Sequence, residues 1–181
     1  MKPGRITAAA AVNLLTFLSV PLPAQEVTMA TLLDRIQIED LLTRYYYDLG
    51  NGGHVLSEYF TEDALLDVDG TIAVGHEEIA ALYGGARRDE DAAPRPQNHM
   101  LLSNPVIRIN GNKATAHVIW TGVLNSGVGE PPRIYEQGRE DSELVKIDGK
   151  WLISKRYISS DSGLPDRFDE TYEPRGNPLG D

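Results

Sequence analysis

Residues Met29 to Gly50, MATLLDRIQIEDLLTRYYYDLG, set Ile38, Leu42, Tyr45 and Leu49 four, three and four residues apart. That spacing draws one apolar stripe along a helix of about six turns. Asp34, Arg35, Gln37, Glu39, Thr43 and Arg44 fill most of the other side. Thr31 and Asp34 are candidate capping residues at its start, and Gly50, Gly52 and Gly53 end it. So long a helix needs a broad apolar surface to lie on. Only the C-terminal half of the chain offers one.

That half reads as strands. Asn98–Ile109 is the first, with a bulge expected near Pro105. Asn110 and Gly111 turn it into Lys113–Asn125. Ile134–Ile147 follows a loop at Gly127–Pro132, and Asp148 and Gly149 turn it into Trp151–Ser159. Between helix and meander, His54–Phe60 reads as a short helix and Leu65–Asp69 as a strand. Thr71–Val74 returns as a hairpin arm, and a second short helix follows Gly75 with Ile79, Leu82 and Tyr83 on its buried side. Gly84–Pro96 reads as a surface loop and a candidate lid. Helices first and an antiparallel meander last argue an α+β domain. A helix crossing a curved sheet without meeting it everywhere leaves a conical hollow at one end.

Composition narrows the partners. The 181 residues are 41% hydrophobic and 24% charged, enough for one domain with a core. A net charge of −10 argues against nucleic acid and anionic membranes. There is no cysteine, so disulfides and thiolate chemistry are excluded. Four scattered histidines without HxH or HExxH spacing give no metal site, and isolated glycines give no dinucleotide or phosphate loop. No cofactor is expected. Lys2 and Arg5 precede an apolar run at Ala8–Val20 that ends in PLPAQ. Residues 1–25 therefore read either as a secretory signal cut after Ala24, for a periplasmic or secreted protein, or as an extension before a start at Met29, for a cytoplasmic one. Residues 26–161 are then the domain, and residues 162–181 an extended arm or tail.

Four segments, in this order, carry a family resemblance: LLTRYYYDLG; SEYFTEDALLDVDGTIAVGHEEI; NHMLLSNPVIRINGNKATAHVIW; and GREDSELVKIDGKWLISKRYI. Over roughly Met29 to Asp161 the chain resembles the SnoaL-like branch of the NTF2-like superfamily, a cone-shaped α+β fold. Its members include scytalone and bile-acid dehydratases, polyketide cyclases, lyases of lignin-dimer breakdown, and non-catalytic binding proteins. The resemblance implies a cofactor-independent lyase or dehydratase that removes water or formaldehyde from a small, hydrophobic, phenolic compound. It also implies a homodimer, with Tyr135, Val145, Ile147, Ile153 and Tyr157 as candidate contacts. A binding protein, an isomerase and a cyclase remain open, because fold alone does not fix function.

In the dehydratase-like members the first helix gives a Tyr and, five residues on, an Asp; the first long strand gives a His. The Tyr falls on Tyr45 and the His on His99. The Asp falls on Gly50, and Glu140 stands where an aromatic residue is common. His99, in step with Leu101 and Ser103, is either a proton acceptor at the hollow's mouth or a structural histidine. Tyr45 on the apolar stripe is either a pocket hydroxyl or a core aromatic, with Tyr46 beside it. Glu140 either faces inward as an acid–base group, with desolvation raising its pKa, or faces solvent near Lys155 or Arg156. Asp48 is a candidate supporting carboxylate. Trp120, on one face with Ala116 and Val118, suits a flat ligand, and Gly122 beside it opens space. Asn98, Leu101, Arg139 and Tyr135 complete the candidate binding set, and Arg133 joins Tyr135 at the entrance.

Overall fold

The computed structural model describes residues 27–51, 55–83, 97–165 and 168–172. The proposed signal, the loop and lid expected over 84–96, and His54 lie outside these residues. Helix α1 spans Met29–Asn51. Ile38, Leu42 and Tyr45 are buried as their spacing predicts, joined by Leu41, while Leu49 packs at the core's edge. Asp34 is not in the first turn and caps nothing there. Its carboxylate instead accepts from Lys146 Nζ at 2.6 Å and Trp151 Nε1 at 3.0 Å. It pins the helix to the far end of the sheet. Arg35 adds a bond to the Ile107 carbonyl at 3.3 Å.

One 3-10 turn, Leu56–Glu58, replaces the short helix expected over His54–Phe60. Strand β1, Phe60–Val68, begins immediately after it and is longer than the expected Leu65–Asp69. Asp69, at φ 48°, and Gly70, at φ 93°, make the tight turn into β2, Thr71–Val74. Helix α2 covers Gly75–Tyr83, with Glu77 and Glu78 in its first turn. The meander follows as β3, Gln97–Asn110; β4, Lys113–Asn125; β5, Arg133–Ile147; and β6, Lys150–Ser162.

All six strands form one sheet in the order β2-β1-β6-β5-β4-β3. The meander is antiparallel, as expected. The β1–β2 hairpin joins it through a parallel pairing of β1 with β6, which makes the sheet mixed. Helix α1 crosses the concave face. Ile107, Ile109, Ala114, Ala116, Val118, Leu144, Trp151 and Ile153 close the core beneath it. Ile153, a candidate subunit contact by sequence, is fully buried there. Among the described residues no helix is long and apolar enough to cross a membrane.

Two local devices shape the wider end. In β3 the register slips between Ser103 and Val106, so Asn104 and Pro105 together oppose Val118. Asn104 adopts φ 52°, and every side chain upstream of this bulge changes face. In β5 a second slip beside Gly122 leaves Tyr135 unpaired. Beyond β6 the chain turns back, and Phe168 enters the core with 4% of its surface exposed.

Candidate functional site

A hollow of about 150 Å³ lies between the C-terminal half of α1 and the concave face. Tyr45, Tyr46 and Leu49 come from α1, and Leu82 and Tyr83 from α2. Met100, Trp120, Glu136, Ile158 and Ser160 rise from the sheet. Val68 and Asp69 close one side, and Pro165 and Phe168 another. The wall is mostly apolar, and the volume suits a single benzene-sized ring.

Polar groups enter this wall at a few points. Tyr45 Oη donates to Tyr83 Oη at 2.5 Å. Burial, then the neighbouring Tyr83, pushes the Tyr45 phenol well above its ordinary range. Tyr46 Oη donates to Glu140 Oε2, also at 2.5 Å. Burial, then the Glu140 charge, raises Tyr46 likewise. Both tyrosines therefore stay protonated and act as donors. Edge-to-face contacts set their rings: Tyr45 and Tyr46 meet at 5.2 Å between centroids, and Tyr45 and Phe60 at 5.7 Å.

Glu140 faces inward and is 1% exposed. It does not reach the hollow, because Tyr46 stands between them. Its other oxygen accepts from Ser142 Oγ at 3.3 Å and lies 3.0 Å from Arg156 Nη2. That last contact is an ion pair held by proximity, without aligned hydrogen-bond geometry. Arg156 is fully buried, its guanidinium carbon 4.0 Å from the Tyr45 ring centroid. Burial works against its charge, but Glu140 and the tyrosines outweigh it and leave the guanidinium more basic than usual. The pair is a charged foundation under the tyrosine floor. Breaking either half would strand the other in low dielectric.

The remaining carboxylates differ in availability. Asp69 lines the hollow but is tied to Ser160, accepting from its backbone N–H and its hydroxyl at 2.8 Å each. Glu136 lines the opposite wall and accepts from the Tyr135 hydroxyl. It occupies space that Gly122 leaves open. A Cβ on Gly122 would come within 2.7 Å of Glu136 Oε1. Gly138 serves Trp120 in the same way, since a Cβ there would collide with the indole. Trp120 Nε1 donates to the Arg139 carbonyl at 3.3 Å, which fixes the ring's tilt.

Several candidates from sequence fall elsewhere. His99 is exposed and pairs with Val123 on the convex face, while Met100 points into the hollow in its place. The bulge at Asn104 is the cause. Ile107 and Ile109 make odd positions of β3 look inward, but that phase reverses upstream. Leu101 is turned outward with His99 and is 55% exposed. Arg139 also faces the convex side, paired with Asp161 at 3.1 Å. Asp48 accepts from the Tyr59 hydroxyl away from the hollow. Asn98 donates to the Tyr135 hydroxyl at the rim. Tyr45, Tyr46 and Trp120 do converge, with Glu140 behind them.

Sequence reasoning missed Tyr83, Asp69, Glu136, Ser160 and Phe168. Tyr83 had a legible signal on the inner side of α2, and Gly122 hinted at a large neighbour. Among the described residues no histidine lines the hollow: His76 bonds the Phe60 carbonyl at 3.2 Å, and His117 pairs with Asp141 at 2.8 Å on the convex face.

The fold is that of NTF2-like, or cystatin-like, proteins. A cystatin-like protein of unknown function from Nostoc punctiforme superposes with a TM-score of 0.59 at 25% identity, covering 78% of this chain and 98% of that one. An NTF2-like protein from Novosphingobium aromaticivorans gives 0.61 at 23% identity, covering 75% and 86%. A proposed scytalone dehydratase from the same organism gives 0.59 at 20% identity, covering 83% and 96%. No curated protein matches the sequence. The profile of the SnoaL-like domain matches residues 30–157, a span that holds nearly all of the helix, most of the sheet and ten of the fourteen residues lining the hollow, and the chain belongs to the SnoaL-like family.

Proposed function

We propose that the chain is a cofactor-independent lyase that eliminates water or formaldehyde from a small hydroxylated aromatic compound. One observation carries the reading: an apolar hollow of ring size holds tyrosine donors on one wall and an available carboxylate on another. In the dehydration the Glu136 carboxylate takes the proton of a phenolic hydroxyl. The O–H electron pair moves through the ring, the benzylic C–O bond breaks, and a quinone methide forms. Tyr83, hydrogen-bonded to Tyr45, protonates the departing hydroxide to give water. The apolar wall orients the ring and keeps bulk water out.

The test is incubation of the purified protein with para-hydroxybenzyl alcohols and lignin-dimer analogues, followed by mass spectrometry of the products. Turnover is expected, with a loss of roughly 100-fold in kcat for Tyr83→Phe and more for Glu136→Gln. No conversion of any compound would overturn the reading. A second reading, a non-catalytic binder of the same ligands, is favoured by Gly50 at the position of the expected Asp and by hollow-facing residues that include no described histidine. Binding without conversion would select it.

A further inference from the structure

Among the described residues, the carboxylates of Asp69 and Glu136 line the hollow and that of Glu140 lies behind its wall, and their surroundings give them different tasks. Glu140 is sealed behind Tyr46, with its oxygens on Tyr46, Ser142 and Arg156. Asp69 spends both oxygens on Ser160 and sits in the turn that this bonding stabilises. Glu136 is half-buried in the wall, with the Tyr135 hydroxyl as its donor. A carboxylate has about four acceptor sites, so Glu136 keeps capacity for a ligand. Among the described residues, no lysine or arginine lines the hollow.

Two backbone features hold Glu136 in that place. The slip beside Gly122 puts Glu136 opposite Gly122, on the face shared by Met100 and Trp120. Gly122 then gives the side chain clearance, since any Cβ there would strike its Cγ and Oε1. The φ of Gly122 is not in the left-handed region, so the glycine is required by space and not by backbone conformation.

We propose that Glu136 is the specificity-determining anchor of the hollow and that Gly122 is its enabling partner. Together they select a neutral, ring-sized ligand carrying a hydrogen-bond donor and reject anionic ligands of the same size. An anion entering here meets a like charge, with no cation among the described lining residues to offset it, in a hollow partly shielded from solvent. A ligand hydroxyl instead completes the acceptor shell of Glu136 while its ring lies on Trp120. This rests on the hollow being the ligand site, as in the proposed function, but not on any turnover.

The experiment is titration of the purified protein with three probes: phenol, anisole and benzoate. Trp120 in the wall gives a fluorescence readout, and calorimetry gives a second. Phenol is expected to bind roughly tenfold or more tightly than anisole, and benzoate most weakly. Glu136→Leu should abolish the preference for phenol while leaving anisole affinity nearly unchanged. Gly122→Ala, which displaces the carboxylate without removing it, should lower the preference in the same direction. Glu136→Gln keeps an acceptor but removes the charge, so it should retain phenol and improve benzoate. Circular dichroism melts of each variant separate loss of binding from loss of fold. Equal binding of phenol and anisole to the wild type, or an undiminished preference in a folded Glu136→Leu protein, would overturn the proposal. Absence of turnover with these preferences intact would overturn only the lyase reading.

Discussion

At the residue scale, small positions decide where large ones go. Gly122 and Gly138 leave the space that Glu136 and Trp120 occupy. Gly138→Ala should destabilise the fold by about 1–3 kcal/mol through overpacking, read as a lower midpoint in urea. Asp34 shows a different economy, with one carboxylate holding two donors from the sheet. The Lys146 hydrogen bond, then the Trp151 bond, hold its pKa below 3.8. A lowered folded-state pKa means its stabilisation is present above the unfolded value and fades as pH falls through the folded one. Asp34→Ala should cost roughly 1 kcal/mol at pH 7, discounted for solvent around the site, and the difference from wild type should shrink as pH falls below the ordinary aspartate range. His99→Ala should change melting by no more than about 0.5 kcal/mol and leave phenol affinity unchanged, because the ring is exposed on the convex face. The histidine was legible as a residue on the first long strand. Its direction was not, because the Asn104 bulge resets the alternation and nothing in Ser103-Asn104-Pro105 states how many residues are extra.

At the scale of elements, periodicity carried most of the information. The stripe on α1 and the turns at Asn110–Gly111 and Asp148–Gly149 gave the helix and meander nearly residue for residue. The inward direction of Glu140 was left open, since Arg139 and Asp141 flank it with equal polarity. What resolves it is Arg156 on the neighbouring strand, buried opposite Ser142. Glu140→Leu alone should cost about 3–5 kcal/mol by stranding Arg156. Glu140→Leu with Arg156→Met should recover much of that loss, and a thermodynamic cycle over the four proteins measures the coupling. Where α1 meets β1, Tyr59 is pushed up to about 12, first by burial and then by its bond to Asp48. A raised tyrosine pKa favours the fold below the unfolded value of about 10, and that contribution disappears as pH rises through about 12. Tyr59→Phe should therefore flatten the loss of stability between pH 10 and 12 in alkaline titrations followed by circular dichroism.

At the scale of the molecule, the sheet joins what the chain keeps apart. Strand β1 precedes β6 by roughly 90 residues, yet the two lie side by side in parallel, Leu66 against Arg156. An alternating pattern tells which face is buried but not which strand is the neighbour, so this pairing could not be read from the residues alone. The C-terminal arm was equally opaque. Its polar composition suggests a tail, but Pro165 and Phe168 seat it beside the hollow. The parallel seam also orders events in time. The Tyr45–Tyr83 donors and the Glu136 wall are synthesised before β6 and held in their final spacing only after it docks. Such long-range closure is slow. A nascent or C-terminally clipped chain therefore has the chemical groups of the site without the enclosure, and its ligand can reward only the finished sheet.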